Sequence, residues 1–347
     1  MVRGVSPALE TLLLTFSKGE VAIPKRALFL GSEPHPELKR WPEILGWQPF
    51  KPMADAWERA GFARVDEPTG AWPMVLVLPG KSRDETLAAF AKGYDLLEEG
   101  GTLVVAMTNI SGASRFEKEL AKCAGNKESL QKNKCRSFHS VKDGNWNQDV
   151  LEEWRKLGEP KAVSGTEFIV EAGVFSPDHI DPGSALLAEH LPTNLRGSVA
   201  DLGAGWGFLS HVLMEKSPDL KALHLFEADA RALNCARKNV TSEVAEFHWH
   251  DVATGLPGKY EAVISNPPFH SGNNTDIALG RRFLRAATDA LRTGGRLFLV
   301  ANRQLPYEAE LEALGLVWRK PVEEGTYKLL FAEKRLGTSA GTERSRR

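Results

Sequence analysis

Apolar and polar positions alternate along the second half of the chain in the manner of a doubly wound parallel sheet. From about Val199 onward, short apolar runs alternate with amphipathic stretches that suit crossover helices. The candidate strands number seven: Ser198 to Leu202, Ala222 to Glu227, Ala245 to Trp249, Ala262 to Ser265, Arg296 to Ala301, Leu316 to Arg319 and Tyr327 to Ala332. Residues 321–326 are too few for a crossover helix, so the last two strands are predicted to form an antiparallel hairpin.

The first half carries a fainter copy of this pattern. Residues 74–81 run from an apolar strand into a proline loop, as residues 262–269 do, and each segment is followed by a helix and a double-glycine turn. Self-similarity at a period of about 190 residues indicates an internal duplication, and hence an α/β protein with two tandem Rossmann-like domains. Two unrelated α/β segments that share common turn chemistry are the alternative.

A polar stretch separates the two halves. Residues 123–147 are rich in Lys, Asn, Ser and Gly and poor in apolar residues, which predicts a loop or linker. We therefore assign one domain to residues 1–150 and a second to residues 151–335. Residues 336–347 end in Arg344-Ser345-Arg346-Arg347 and are predicted to be a disordered tail.

The overall charge gives no indication of a polyanionic partner, but one segment is locally basic. The 347 residues include 44 Lys and Arg against 45 Asp and Glu, a net charge of -1. Residues 115–142 hold eight Lys or Arg against three Glu. This segment is either a solvated face or a patch that contacts phosphates.

Neither metal binding nor membrane insertion is predicted. The three cysteines are far apart and lack the paired spacing of a zinc site, so we expect idle thiols in a reducing compartment and no metal. The longest apolar runs are much shorter than the roughly 20 residues that span a bilayer. The N-terminus has no signal-peptide pattern, which favours a cytoplasmic protein without a membrane partner.

A glycine loop follows the first strand of the second half. Gly203, Gly205 and Gly207 allow close approach of a ligand to the backbone, as in a nucleotide cradle. Phe208 stands where a dinucleotide fingerprint has its third glycine, and Asp201 would repel a pyrophosphate. A carboxylate suits a ligand with an ammonium and a sulfonium, so Asp201, Gly203 and Gly205 are predicted to bind S-adenosylmethionine. The competing interpretation is an ordinary strand-to-helix turn.

Two further acids close the next two strands. Glu227 ends the second strand and can accept both hydroxyls of a ribose, whereas Asp229 lies past the strand and is expected to cap the following helix. Asp251 follows the third strand and could accept from an adenine amino group. Because the carboxyl ends of parallel strands share one sheet edge, Glu227 and Asp251 are predicted to bind the nucleoside part of the same cofactor.

The loop after the fourth strand carries the candidate catalytic residues. Hydrogen bonds to the Asn266 amide oxygen and the Pro267 carbonyl would favour a pyramidal nitrogen with its lone pair aimed at a methyl donor. Asn266 is predicted to contact both the substrate and the cofactor. Pro267 and Pro268 stiffen the loop, and Phe269 offers a face for base stacking, worth on the order of 1–3 kcal/mol. His270 either approaches the substrate or bonds to nearby backbone. A proline turn without a function is the alternative.

These motifs resemble those of the bacterial ribosomal RNA guanine-N2 methyltransferases of the RsmC and RlmG type. The matching segments are Gly173-Val174-Phe175-Ser176, Asp181, Gly183-Ser184, Ile264 to His270 and Val300 to Tyr307. The resemblance implies class I methyltransferase folds, a degenerate first domain, S-adenosylmethionine as cofactor, and methyl transfer to guanine N2 in ribosomal RNA or a ribosomal subunit. The length is closer to that of the small-subunit enzymes.

Two other functions compete with this interpretation. An enzyme that methylates the glutamine amide of a translation factor uses a similar loop, but usually with Tyr in place of Phe269. A non-catalytic RNA-binding assembly module would not need the acids Asp201, Glu227 and Asp251. In the first half, Leu78 and Lys81 replace Asn266 and Phe269, so that half is predicted to have lost its site and to dock RNA.

Overall fold

A computed structural model describes residues 6–17, 19, 21–125, 128–268, 270–271, 274–275 and 277–335. The chain divides into two compact units. The first comprises the residues up to Lys161 together with Glu171–Gly173, and the second comprises Ala162–Val170 and the chain from Val174 onward. The predicted tail, residues 336–347, lies outside the described residues.

The first unit is a sheet flanked by helices. Its elements, in chain order, are α1 (Pro7–Ser17), β1 (Arg26–Leu30), β2 (Glu43–Trp47), α2 (Lys51–Arg59), β3 (Ala63–Arg64), β4 (Trp72–Val77), α3 (Arg83–Asp95), β5 (Leu97–Thr108), α4 (Ala113–Ala124), β6 (Glu128–Lys132), β7 (Cys135–Val141) and α5 (Gln148–Leu157). The strand order is β3-β2-β1-β4-β5-β7-β6. Strands β1 to β5 pair in parallel, and β7 pairs antiparallel with β5 and β6.

The structure corrects the prediction of a linker over residues 123–147. This stretch contains the hairpin of β6 and β7, whose turn has Asn133 and Lys134 at positive φ. The apolar residues are few, but Cys135 and Phe138 are buried in the sheet. The unit also extends past residue 150, because Leu151 and Trp154 of α5 belong to its hydrophobic core.

The second unit contains the predicted mostly parallel sheet. Two short strands, β8 (Lys161–Ala162) and β9 (Ile169–Val170), lie where the chain leaves the first unit and enters the second. The elements that follow are α6 (Pro182–His190), β10 (Gly197–Leu202), α7 (Phe208–Lys216), β11 (Leu220–Glu227), α8 (Ala230–Asn239), β12 (Ala245–Trp249), β13 (Tyr260–Ser265), β14 (His270–Ser271), β15 (Asn274–Thr275), α9 (Ile277–Ala290), β16 (Leu291–Asn302), α10 (Tyr307–Ala313), β17 (Leu316–Arg319), β18 (Glu323–Glu324) and β19 (Tyr327–Lys334).

The sheet of the second unit runs β12-β11-β10-β13-β16-β19-β17. Strands β10 to β13 and β16 pair in parallel, and β19 is antiparallel to β16 and β17. The prediction of seven strands omitted β18, which pairs with β19. Gly325, with φ 55, allows the chain to turn directly from β18 into β19. Central strands such as β10 and β13 are buried along most of their length, as expected for parallel strands covered on both faces.

The two units repeat one strand order. Three parallel strands lie on one side of a central pair, β4 with β5 in the first unit and β13 with β16 in the second, and antiparallel strands lie on the other side. Strands β5 and β16 each span 12 residues, begin just after a helix and show nearly the same sequence of buried and exposed positions.

The described residues contain no helix that is long and apolar enough to cross a membrane. The three cysteines are free thiols and all are buried.

Candidate active site

The strand order of the second unit brings the predicted site residues to one edge of the sheet. Asp201 lies near the end of β10, and its neighbouring strand β11 ends at Glu227. Asp251 follows the outer strand β12, and Asn266 follows β13 on the other side of β10. Since these strands are parallel, all four residues lie at their carboxyl ends, where open α/β sheets bind ligands.

The glycine loop is tied to the neighbouring strand. The N–H groups of Gly203 and Ala204 both donate to the carbonyl of Phe226, at 2.8 and 3.1 Å. Gly203, Gly205 and Gly207 all have positive φ, which side chains rarely adopt. A Cβ on Gly205 would meet only open space, so this part of the backbone is open to a ligand.

Asp201 is a fully buried acid in this loop. Its Oδ2 accepts a hydrogen bond of 2.7 Å from Ser210 Oγ in the first turn of α7, and among the described residues Oδ1 has no partner. Burial raises the pKa of Asp201 to about 7, the hydrogen bond from Ser210 opposes this rise, and the nearby Glu227 carboxylate adds to it. Because burial disfavours the ionised form of Asp201, a cation bound beside it would stabilise that form.

Glu227 holds the glycine loop as well as ending β11. Its Oε2 accepts the N–H of Gly205 and its Oε1 accepts the N–H of Asp229, each at 2.8 Å. Burial raises the pKa of Glu227, and these backbone donors oppose the rise. Each carboxylate oxygen keeps a further lone pair for a hydroxyl donor. Asp229 itself caps α8 by accepting the Arg231 N–H, as predicted.

Asp251 begins the short 3-10 helix Val252–Thr254. Its Oδ1 accepts the N–H of Ala253 at 2.9 Å. The side chain of the preceding residue, His250, bonds to the backbone: its Nε2 lies 2.6 Å from the carbonyl oxygen of Gly255. Asp251 is half-buried, so its carboxylate can still accept from an amino group.

The Asn266 side chain is oriented by a segment far from it in sequence. Its Nδ2 donates to Asp181 Oδ2 and to Ser184 Oγ, each at 2.8 Å. Both N–H groups of the amide are thereby used in hydrogen bonds to the protein. The amide oxygen remains as the acceptor available to a substrate. Pro267 is buried and Pro268 is exposed; Phe269 and the side chain of His270 lie outside the described residues.

Asp181 and Ser184 form the start of α6. Asp181 accepts the Ser184 N–H at 2.8 Å as the helix cap, and Pro182 follows at the first helical position. The sequence Asp-Pro-Gly-Ser is a helix-start signal, but only the family resemblance marked these residues as functional. Ser210 is a further residue that the sequence reasoning missed, because no periodicity connects it to Asp201.

Several of these residues, but not Asp201, line one cleft of about 50 Å³. Its walls are the glycine loop, Asn266 with Asp181 and Ser184, and the segment of Phe175 and Ser176. Phe175 is 61% exposed, and its carbonyl accepts from Trp206 Nε1 of the glycine loop at 3.1 Å. Asp251 and Glu227 lie at neighbouring strand ends rather than in this cleft.

The site fits S-adenosylmethionine better than a dinucleotide. Asp201 Oδ1 is a buried acceptor that has no partner among the described residues, and the open space beside Gly205 permits backbone contact with a ligand. Hydroxyl acceptance by Glu227 and amine acceptance by Asp251 would hold the nucleoside. A pyrophosphate would meet the uncompensated Asp201 carboxylate.

Comparison with known proteins places this fold among the methyltransferases. Residues 165–330 match the family model of the methyltransferase small domain. The T. Thermophilus 16S rRNA N2 G1207 methyltransferase (RsmC), solved in complex with AdoMet and guanosine, superposes with a TM-score of 0.78 at 24% identity over 96% of this chain and 93% of that chain. Fold and site thus define a class I, S-adenosylmethionine-dependent methyltransferase.

Curated relatives narrow the class to a family. The ribosomal RNA small subunit methyltransferase C of Yersinia pestis (strain Pestoides F) is 31% identical over 269 residues, which cover 77% of this chain and 76% of the relative. The enzyme of Yersinia pseudotuberculosis serotype O:1b has the same identity and coverage. The chain belongs to the family of ribosomal RNA small subunit methyltransferase C.

Proposed function

We propose that this enzyme methylates the exocyclic N2 amine of a guanine in small-subunit ribosomal RNA. The observation that carries the proposal is the orientation of Asn266, whose amide nitrogen is committed to Asp181 and Ser184. An amide oxygen fixed in this way is a hydrogen-bond acceptor for an amine. We infer the RNA substrate from the relatives and the solved structure, which are named as ribosomal RNA methyltransferases.

The guanine N2 amine is a poor nucleophile because its lone pair is delocalised into the ring. The Asn266 amide oxygen and the Pro267 carbonyl would accept its two N–H groups and thereby turn the lone pair toward the cleft. The two prolines hold the carbonyl in one direction, since each fixes φ near -65°. When bound, S-adenosylmethionine supplies an already activated methyl group.

The cofactor would be held by the residues that line the adjacent strand ends. Asp201 Oδ1 would receive the ammonium, Glu227 the ribose hydroxyls and Asp251 the adenine amine. Gly203 and Gly205 would allow backbone contact with the methionine part. Phe269 would stack on the guanine, which must leave its stack, whether paired or unpaired, to reach this cleft.

Replacement of the oriented amide tests the proposal. Asn266→Ala should lower methyl transfer to small ribosomal subunits by about 10²–10³-fold, because a preorganised acceptor is lost. Exposed Asn194→Ala is the matched control and should keep the wild-type rate. The measurement is incorporation of labelled methyl, followed by mass spectrometry of the ribosomal RNA nucleosides.

N2-methylguanosine should be the labelled nucleoside. A full transfer rate in Asn266→Ala would refute the proposed role of the amide. Label found only in protein would refute the RNA substrate and favour glutamine-amide methylation of a translation factor.

For the first unit we infer a duplicated methyltransferase fold that has lost its cofactor site. Gly31 occupies the place of Gly203 at the end of its strand, but a Cβ there would lie 2.3 Å from the carbonyl oxygen of Leu78. At Gly203 the nearest atom to such a Cβ is Phe283 Cε1 at 3.4 Å. The backbone of the first unit thus fills the space that is open in the second, which leaves RNA docking as its proposed role.

A further inference from the structure

We propose that His224, Glu246 and His248 form a binding site for Zn²⁺ on the outer strands of the second unit. The three residues lie on β11 and β12 and take no part in the site at the carboxyl ends of the strands. Their candidate ligand atoms all lie within 4.8 Å of one another.

The strand register places the three side chains together. His224 of β11 is directly opposite Glu246 of β12, and His248 is two residues further along β12. Alternate residues of a strand point to the same face, so all three side chains share one face of the sheet. The intervening Phe247 points to the other face, where the Arg237 guanidinium lies 4.8 Å from its ring.

The distances match those between ligands of one metal ion. His224 Nδ1 lies 3.1 Å from His248 Nε2 and 3.3 Å from Glu246 Oε2, and the last two atoms are 3.8 Å apart. Tetrahedral Zn²⁺ with bonds of about 2.0–2.1 Å separates its ligands by about 3.3–3.4 Å. Each of the three separations is thus within about 0.5 Å of the tetrahedral value.

The surroundings hold the imidazole rings in place. Phe226 stacks on His248 with ring centroids 4.5 Å apart, and Tyr260 meets His224 edge-on at 5.2 Å. His250 is bonded to the Gly255 carbonyl and is not a further ligand. Glu246 is exposed to solvent, so three protein ligands would leave the fourth position to water.

The ligand chemistry selects a class of metal. Two imidazole nitrogens and one carboxylate oxygen suit Zn²⁺ and related transition-metal ions, whereas Mg²⁺ and Ca²⁺ prefer oxygen ligands alone. The ion would join β11 to β12, the outermost strand of this sheet. It would thus stabilise the edge that also carries Glu227 and Asp251.

Zinc titration of the untagged full-length protein, first stripped with a chelator, tests the proposal. We expect one Zn²⁺ per chain by elemental analysis and a rise of about 5–10 °C in the unfolding midpoint at zinc concentrations near 100 times Kd. Mg²⁺ should give no such rise. Co²⁺ should give the visible absorption of a four-coordinate ion.

Variants separate this site from adventitious binding. His248→Ala and the milder Glu246→Gln should abolish stoichiometric binding and the thermal shift, while circular dichroism and S-adenosylmethionine affinity verify folding. His211→Gln is the matched control, because His211 faces a single carboxylate, Glu215, at 3.6 Å. The proposal is overturned if the wild-type protein binds no zinc, or if folded Glu246→Gln and His248→Ala bind it as the wild type does.

Discussion

At the scale of single residues, two hydrogen bonds orient the side-chain amide of the candidate catalytic residue, Asn266. Asn266 donates to Ser184 Oγ and Asp181 Oδ2, and the Ser184 N–H also bonds to the cap of α6. Removing the Ser184 hydroxyl would loosen the amide without removing the backbone bond that begins the helix. We therefore predict that Ser184 is a positioning residue that acts through Asn266.

Ser184→Ala should reduce kcat by about tenfold, the effect of losing one orienting hydrogen bond. The KM for ribosomal subunits and the unfolding midpoint should stay close to the wild-type values. Ser184→Thr keeps the hydroxyl and should restore most of the rate. If Ser184→Ala altered KM and left kcat unchanged, the positioning role would be wrong.

We predict that Asp201 makes cofactor binding dependent on pH. Its pKa of about 7 in the free protein lies above the ordinary value, so below pH 7 the carboxyl is protonated and must lose its proton to bind an ammonium. Affinity for S-adenosylmethionine should therefore rise by up to about tenfold per pH unit from pH 5.5 to about 7 and then level off. Calorimetry should detect release of a proton at pH 6.

Asp201→Asn should weaken binding and remove this pH dependence, whereas exposed Asp219→Asn should preserve both. The contribution of Asp201 to folding stability depends on pH in the opposite direction to cofactor affinity. Because the folded protein retains a proton that the unfolded chain loses near pH 4, this residue's contribution to stability falls as pH rises from about 4 to 7. A flat affinity profile in the wild-type protein would exclude pairing of Asp201 with the ammonium.

At the scale of elements, Gly205 and Gly207 of one loop have different structural roles. Gly207 precedes α7 with φ 93, and a Cβ there would lie 2.9 Å from Val240 Cγ2. Gly205 has φ 56 but faces open space. One glycine therefore permits packing of α7 against its neighbour, and the other borders the open space proposed for the ligand.

Gly207→Ala should lower the free energy of unfolding by about 2–4 kcal/mol, because strain and overlap add. Gly205→Ala should cost about 1 kcal/mol but should weaken S-adenosylmethionine binding more than that loss of stability explains. Urea denaturation and calorimetry measure the two effects. Equal losses of stability in both variants would contradict the distinction.

At the scale of the whole molecule, the basic segment of the first unit is the candidate for RNA contact. Of its charges, Arg136 is paired with Glu117, and Lys142 Nζ bonds to the carbonyls of Tyr94 and Leu97. Arg115, Lys118 and Lys122 are exposed and lie three or four residues apart on α4, which places them on one face of the helix. We call these three residues the basic face.

Replacing the basic face with glutamines should weaken binding of ribosomal RNA and reduce the slope of log K against log salt by about 2–3, with cofactor affinity unchanged. Filter binding over a range of salt concentrations measures this. The same loss of charge at exposed Lys39, Arg59 and Lys156 is the control and should have a smaller effect. An unchanged salt slope in the basic-face variant would rule out phosphate contacts there.

The sequence by itself determined the features that depend on residues close together along the chain, such as strands and turns. Apolar runs separated by helical stretches marked the strands of the second unit, and the polar residues at or just after the strand ends gave Asp201, Glu227, Asp251 and Asn266 as candidates. This works because burial periodicity and turn chemistry are local properties of the chain. The same logic failed over residues 123–147, where a hairpin with few apolar residues resembled a linker.

Only the tertiary structure decided which distant groups meet. Asn266 is oriented by Asp181, 85 residues earlier, and the imidazoles of His224 and His248 face each other across two strands. Such contacts depend on strand register and on helix packing over the sheet, which no local pattern encodes. The sequence therefore indicated the chemistry of the site, and the fold supplied its orientation.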